Sequence, residues 1–257
     1  MVTYKGIDTS LWQGAIDWKK AKADGVEFAI IKASQGRTKT YNAPFTDPRF
    51  HESAKGAAAA GLYWGAYHYL CARNLTEARA EAKYFTELLM PYKHQMQLWA
   101  AVDVEDSSIA ALTQSELTAI VGEFCRIVKD AGLRPMVYTN TNWLEWAKEF
   151  IPPKDVPIWQ AHYGRADHPA GAKIWQYTGE GKVDGIAGNV DLNEGIDIIG
   201  DANGDGKVNL SDATVMMKHV AKHKGVKIDE GQADINDDGY VTLSDVSALL
   251  KRIAGWK

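Results

Sequence analysis

The feature that most narrows the possible folds is an ordered alternation. From residue 4 to residue 150, short apolar runs alternate with stretches whose apolar residues recur every three or four positions. Runs of the first kind fit strands, and stretches of the second kind fit helices with one buried stripe. Strands are expected at 4–8, 28–34, 63–70, 99–105 and 135–140, and helices at 16–24, 51–60, 75–90, 113–131 and 141–150. Strands separated by helices favour parallel pairing with right-handed crossovers.

Stop and start signals agree with this register. Gly25, Gly61 and Pro91 end three of the helices. Thr113 and Glu116 have capping-box spacing at the start of the fourth, and Gly132 stands at its expected C-cap. Beyond Pro152 and Pro153 the helices stop, and strands at 158–163, 173–178 and 189–192 follow, joined by loops. Eight strands are enough to close a barrel. The expected fold class is therefore α/β, an irregular β/α barrel of about eight strands and about five helices.

Composition excludes several partner classes. With 46% apolar and 24% charged residues the chain is expected to be globular. A net charge of −4 without a long basic run favours neither nucleic acid nor an anionic membrane surface. No apolar run reaches the roughly 18 residues of a membrane span. Nothing like a leader precedes the first strand, so an exported form would carry its leader outside this sequence. Cys71 and Cys125, distant in sequence, are expected to be free, buried thiols.

The chemistry is expected among acids at strand ends. In Ala101-Val102-Asp103-Val104-Glu105, residues two apart share a face, so Asp103 and Glu105 point inward while the valines pack outward. Burying two neighbouring carboxyls costs free energy and drives their pKa values apart, which suits one protonated acid beside one ionised group. Asp8 ends the first strand and Asp191 the last, and those strands are neighbours in a closed barrel. Four acids would then meet at the end where barrels of this class keep their chemistry. A carboxyl pair flanking the scissile bond is what glycoside hydrolysis needs. The bland alternative pairs Asp103 and Glu105 with Lys32 or Arg134 as structural ion pairs. Aromatic residues on the strands, among them Tyr67, Tyr138, Trp159 and Tyr163, offer faces for sugars or simply fill the barrel, and Trp12 is the best loop candidate.

After Gly200 the pattern changes to an internal repeat, with Asp201–Asp212 echoed by Asp234–Asp245. Each copy reads D-x-N-x-D-G with a carboxylate at position twelve, and each opens a helical stretch. Calcium prefers an oxygen shell, and glycine at position six permits the sharp turn. The expected donors are Asp201, Asn203, Asp205, the Lys207 carbonyl and Asp212 in one loop. In the other they are Asp234, Asn236, Asp238, the Tyr240 carbonyl and Asp245, with Asn209 and Thr242 near position nine. Two calcium ions are expected, both structural, and none for catalysis. An ordinary EF-hand pair and metal-free turns are the alternatives. The expected division is a barrel over 1–199 and a small all-α calcium-binding module over 200–257, tucked close because no Pro- or Ser-rich linker intervenes.

Residues 6–14 (GIDTSLWQG) resemble the opening motif of glycoside hydrolase family 25, the Chalaropsis-type lysozymes. Seven further segments agree in order: FAIIKASQG from Phe28, GLYWGAYHY from Gly61, VDVE from Val102, VYTN from Val137, IWQAHY from Ile158, IWQYT from Ile174 and VDLN from Val190. The resemblance implies a secreted N-acetylmuramidase that cleaves the β-1,4 bond between N-acetylmuramic acid and N-acetylglucosamine in peptidoglycan. It implies Glu105 as general acid and Asp103 as the group that positions the acetamido group or a water, with Asp8 and Asp191 lining the groove. Tyr67, His68, Tyr138 and Trp159 match positions that contact sugar, and Trp12, Tyr163 and Gln176 complete the expected substrate set. A non-catalytic wall-binding adaptor and a chitinase-like hexosaminidase are the rival readings.

The tail resembles a type I dockerin, which implies a cohesin module of a scaffoldin as partner and a place on an extracellular or cell-surface cellulosome. Leu210, Ser211 and Lys218 in the first repeat, and Leu243, Ser244 and Lys251 in the second, fall where dockerins carry partner-specifying residues.

Overall fold

A computed structural model describes residues 3–146, 149–195, 198–236 and 238–254. Strands β1 (Tyr4–Thr9), β2 (Phe28–Gln35), β4 (Tyr63–Tyr69), β5 (Ala100–Asp103), β6 (Pro135–Asn140), β7 (Ile158–Ala161), β8 (Ala172–Gly181) and β9 (Val190–Gly195) form the barrel. They run in the order β1-β9-β8-β7-β6-β5-β4-β2, and β1 pairs with β2 to close the ring. A two-residue strand, β3 (Phe45–Thr46), extends the sheet beyond β2.

Six pairings, from β1–β2 through β7–β8, are parallel. β9 is antiparallel to both neighbours, β8 and β1. The cause is the short link between β8 and β9, which holds no helix, whereas a parallel return needs a crossover of a dozen residues or more.

Helices α1 (Trp18–Ala23), α2 (Phe50–Ala59), α3 (Leu75–Leu89) and α4 (Gln114–Asp130) pack outside the barrel. α4 forms as its sequence dictates. Thr113 and Glu116 close a capping box, Gly132 follows the C-cap at φ 69°, and Leu117, Ile120, Val121, Phe124, Cys125 and Val128 make the buried stripe. That stripe joins the outer core, which includes Ala29, Ile31, Val102 and Val104. Cys71 and Cys125 are both free and buried.

The expected fifth helix is instead a single π-turn, Asn142–Trp146. Its start is held by side chains: Asn140 Oδ1 accepts from Trp143 N at 3.2 Å, and the Thr141 hydroxyl donates to the Ala161 carbonyl at 3.2 Å. The rest of the expected helix includes residues 147 and 148, which lie outside the described residues. β5 is also shorter than expected, ending at Asp103, so Glu105 stands just past the strand.

The tail comprises α5 (Leu210–Val220), a short α6 (Glu230–Ala233) and α7 (Leu243–Ile253). It packs against the floor of the barrel, where the parallel strands begin. One continuous apolar cluster contains Tyr4, Phe28, Ile30, Trp159 and Ile174 from the barrel and Ala202, Met216 and Leu249 from the tail. No helix among the described residues is long and apolar enough to cross a membrane.

Candidate active site

At the opposite end of the barrel, three strands bring four acids together. Asp8 lies near the end of β1, directly opposite Asp191 in the antiparallel ladder. Asp103 closes β5, and Glu105 follows two residues later. Asp191 stands near the start of β9 rather than at its end as expected. The reversed direction of β9 is what delivers it to the rim beside Asp8.

The four acids are unequally enclosed: Asp8 and Asp103 are buried, while Glu105 and Asp191 are half-buried. Burial raises the pKa of all four, and neighbouring acids add to the shift for Asp8, Asp103 and Glu105. For Asp103 the rise is large and comes from desolvation first, then from Glu105. Both Asp103 and Glu105 move up rather than one staying at its ordinary value, with Asp103 well above the usual range. Like charges in a low-dielectric cleft cannot all be ionised together, so the group retains protons at pH values where free carboxyls have lost them.

Donors from β8 and β9 hold Asp8 in this arrangement. Asp8 Oδ2 accepts from Gln176 Nε2 and from Asn193 Nδ2, each at 2.8 Å. Gln176 Oε1 in turn accepts from the Tyr138 and Tyr163 hydroxyls at 2.9 and 2.8 Å. Asn193 Oδ1 accepts from the Trp159 indole at 2.7 Å. Val104 is tied to β6 by its N–H to the Tyr138 carbonyl at 2.9 Å and by the Thr139 hydroxyl to its own carbonyl at 2.9 Å, which fixes the segment between Asp103 and Glu105. Asp103 Oδ1 is buried and has no hydrogen-bond partner among the described residues. A buried acceptor left in this state costs about 1–3 kcal/mol.

The ion-pair alternative does not hold for Lys32. Its ammonium donates to Gln35 Oε1 at 2.9 Å and lies over the Tyr69 ring, 4.7 Å from the centroid. Burial lowers its pKa, with Asp103 opposing that shift. Arg134 stands at the other end of the barrel, where its guanidinium donates to the Gly231 carbonyl at 3.1 Å.

The aromatic residues divide by depth. Trp12 is 82% exposed and Tyr163 54% exposed, so both present faces to solvent at the rim. Tyr67, Tyr138 and Trp159 form a nested group below, with Tyr138 and Trp159 rings 4.5 Å apart and Tyr67 edge-on to Trp159 at 6.1 Å. Trp159 is buried, so it supports the floor of the cleft.

His68 does not belong with them. It is 0% exposed and faces the outer helices, with Nδ1 2.8 Å from Ser34 Oγ and Nε2 2.9 Å from Glu81 Oε2. Its ring packs against Phe85 and Phe124. The trio has the order of a Ser–His–acid relay, but it is sealed in the core, where no sugar can reach it. The expectation of sugar contact at His68 is corrected accordingly.

Three site residues escaped the sequence reading: Asn193, Asn140 and Gly179. Asn193 shares Asp191's strand, two residues on. Asn140 Nδ2 reaches Glu105 Oε2 at 3.5 Å. A Cβ at Gly179 would stand 2.9 Å from Asp191 Oδ1, so a side chain there would push the Asp191 carboxyl aside. Period-two spacing flags Asn193 and Asn140, whereas nothing local marks Gly179.

In the tail, the expected calcium-loop residues fold into two matching turns. Asp205 N and Gly206 N donate to the two carboxylate oxygens of Asp201 at 3.1 and 2.9 Å. Asp238 N and Gly239 N do the same to Asp234 at 3.1 and 2.8 Å. Asp212 and Asp245 each accept from the N–H at position nine, and Lys207 N and Tyr240 N donate to Asp205 and Asp238. Leu210, Ser211, Lys218, Leu243, Ser244 and Lys251 are all exposed.

Comparison with known proteins matches residues 7–186 to the model for glycosyl hydrolases family 25, and residues 199–254 to that for the dockerin type I domain. The autolytic lysozyme of Clostridium acetobutylicum is 34% identical over 192 residues, which cover 74% of this chain and 55% of that protein. The chain thus spans little more than half the length of this curated relative. The spore cortex lytic enzyme SleM of Clostridium perfringens superposes with a TM-score of 0.66 at 27% identity, covering 75% of this chain and 67% of the other. A lysozyme of Streptomyces coelicolor superposes with a TM-score of 0.61 at 26% identity, covering 74% and 90%.

Proposed function

Since the chain belongs to the glycosyl hydrolases of family 25, we propose that it is an N-acetylmuramidase that hydrolyses the β-1,4 bond between N-acetylmuramic acid and N-acetylglucosamine in peptidoglycan. The observation that carries this reading is the meeting of Asp8, Asp103, Glu105 and Asp191 at one rim, with proton affinities raised by burial. Glu105 is the less enclosed acid of the β5 pair, so it can approach a glycosidic oxygen. It gives its proton to O4 of the departing N-acetylglucosamine as the C1–O4 bond breaks. Its raised pKa keeps that proton available.

Asp103 positions the acetamido group of the muramic acid residue. Its unpartnered Oδ1 supports this role, because an amide N–H would satisfy it. The acetamido oxygen displaces O4 at C1 as that bond breaks, and water then attacks C1, giving its proton back to the Glu105 carboxylate and opening the ring to leave a reducing end of retained configuration. Asp8, held by Gln176 and Asn193, and Asp191 line the groove and share protons, and whichever of the pair is ionised adds negative potential as positive charge grows at C1. Trp12 and Tyr163 offer faces to sugars on either side of the cut. Reduction of digested peptidoglycan with borohydride tests the bond specificity: reduced muramic acid is expected. Reduced glucosamine, or activity on chitin alone, would overturn the assignment.

The chain divides after residue 199 in this reading, and the tail is a type I dockerin that fixes the enzyme to a scaffoldin cohesin outside the cell. Its donors fit calcium. They are hard oxygens, and Gly206 and Gly239 at position six have φ values of 85° and 89°. Among the described residues no three His, Cys, Asp or Glu side chains make a ready-formed metal cluster. The shell therefore draws on Asn203, Asn236 and the Lys207 and Tyr240 carbonyls as well as on the aspartates. One ion per loop would bind there as a structural cation. Exposed Leu210 and Leu243, 60% and 63% accessible, are the apolar anchors of the docking face.

A further inference from the structure

The two loops of the tail share eight of twelve residues and much the same internal hydrogen bonding, yet the barrel treats them differently. Asp201 and Asp234 each hold position one, and each receives the N–H groups of positions five and six. Among the described residues only Asp201 has a third donor: the Tyr4 hydroxyl, 2.6 Å from Oδ2. Among the described residues no barrel side chain reaches Asp234. Tyr4 begins β1, is 2% exposed, and has its ring in the cluster shared by barrel and tail. A second barrel tyrosine holds the same loop, because the Tyr63 hydroxyl accepts from Val208 N at 3.1 Å. Two phenols of the barrel floor therefore grip the first loop at positions one and eight.

We propose that Tyr4 is a positioning residue of the first calcium loop, so that filling this loop and seating the tail on the barrel are one linked equilibrium while the second loop fills independently. The inference rests on the calcium reading above. The Tyr4 hydroxyl fixes one carboxylate oxygen of Asp201 and thereby the rotamer of the whole group, so less freedom is lost when an ion arrives. Linkage then works both ways. What the barrel contributes to calcium affinity, calcium returns as stability of the docked arrangement.

Calcium titration of the full chain by calorimetry tests this, after removal of divalent ions with chelator. Wild type is expected to bind in two classes. Tyr4→Phe keeps the ring in the core and should weaken one class by about tenfold, the scale of an outer-shell loss, and leave the other unchanged. The rise in melting temperature that calcium gives should shrink in Tyr4→Phe, a change that a purely structural loss, equal with and without calcium, would not produce. Tyr63→Phe, which removes the acceptor for Val208 N, should weaken the same class and carries the test if Tyr4→Phe does not fold. Identical isotherms for wild type and both variants, or equal weakening of both classes, would overturn the proposal and leave the calcium reading standing. Absence of calcium binding in wild type would overturn both.

Discussion

Asp8 and Asp191 face each other across the antiparallel β1–β9 pair, two acids in direct register at the mouth of the barrel. Such a pair is costly unless protons are shared, and burial already raises both. Gln176 and Asn193 partly offset the cost at Asp8, since their amide donors favour its ionised form. The cleft therefore stores unfavourable electrostatics, a condition that stabilising substitutions relieve at the expense of activity.

Asp103→Asn should separate stability from function. A carboxyl whose pKa is higher in the folded than in the unfolded protein contributes stability below its unfolded pKa, and this is lost as pH rises through the folded value. Removing it should stabilise the protein at pH 7 by on the order of 1 kcal/mol. It should also flatten the decline in melting temperature from mildly acidic to neutral pH, while hydrolysis is severely reduced. Melting curves across that range check this. Destabilisation at pH 7 would mean that Asp103 is ionised and paired.

Trp12 is exposed enough that losing it should cost little structure. Trp12→Ala is expected to change stability by no more than about 0.5 kcal/mol. If the indole stacks on a sugar, KM for wall fragments should rise by a few-fold to about tenfold, the equivalent of roughly 0.5–1.5 kcal/mol. An unchanged KM would remove it from the groove.

His68→Leu should do the opposite. Ser34 Oγ and the Glu81 carboxyl lose their buried partner, at a cost of about 3 kcal/mol or more. KM of the folded protein should stay at the wild-type value. A raised KM without loss of stability would restore His68 to the substrate set.

Much of the barrel was legible because its signals are local. The capping box at Thr113, the glycine and proline stops, and the alternation that turns Asp103 inward and Val102 and Val104 outward all act within a few residues. The same alternation argues that His68 faces away from Tyr67, so its misplacement came from following the family motif against period two. The direction of β9 was not read because strand direction depends on closure of the whole ring. The missing crossover after β8 was the available clue. The π-turn at Asn142–Trp146 depends on Thr141 being fastened to β7, a tertiary contact that the helical pattern does not contain. The grip of Tyr4 on Asp201 joins residues 197 positions apart. Neither motif predicts it.

The central claim is that Glu105 donates a proton to a departing sugar oxygen, and leaving-group dependence tests it most directly. Wild type and Glu105→Gln should be compared on peptidoglycan and on an aryl glycoside whose phenolate leaves without protonation. On peptidoglycan, kcat/KM should fall by about 10²–10⁴-fold, the usual worth of a general acid, with a much smaller fall on the aryl substrate. An equal loss on both, or no loss on peptidoglycan, would contradict the account.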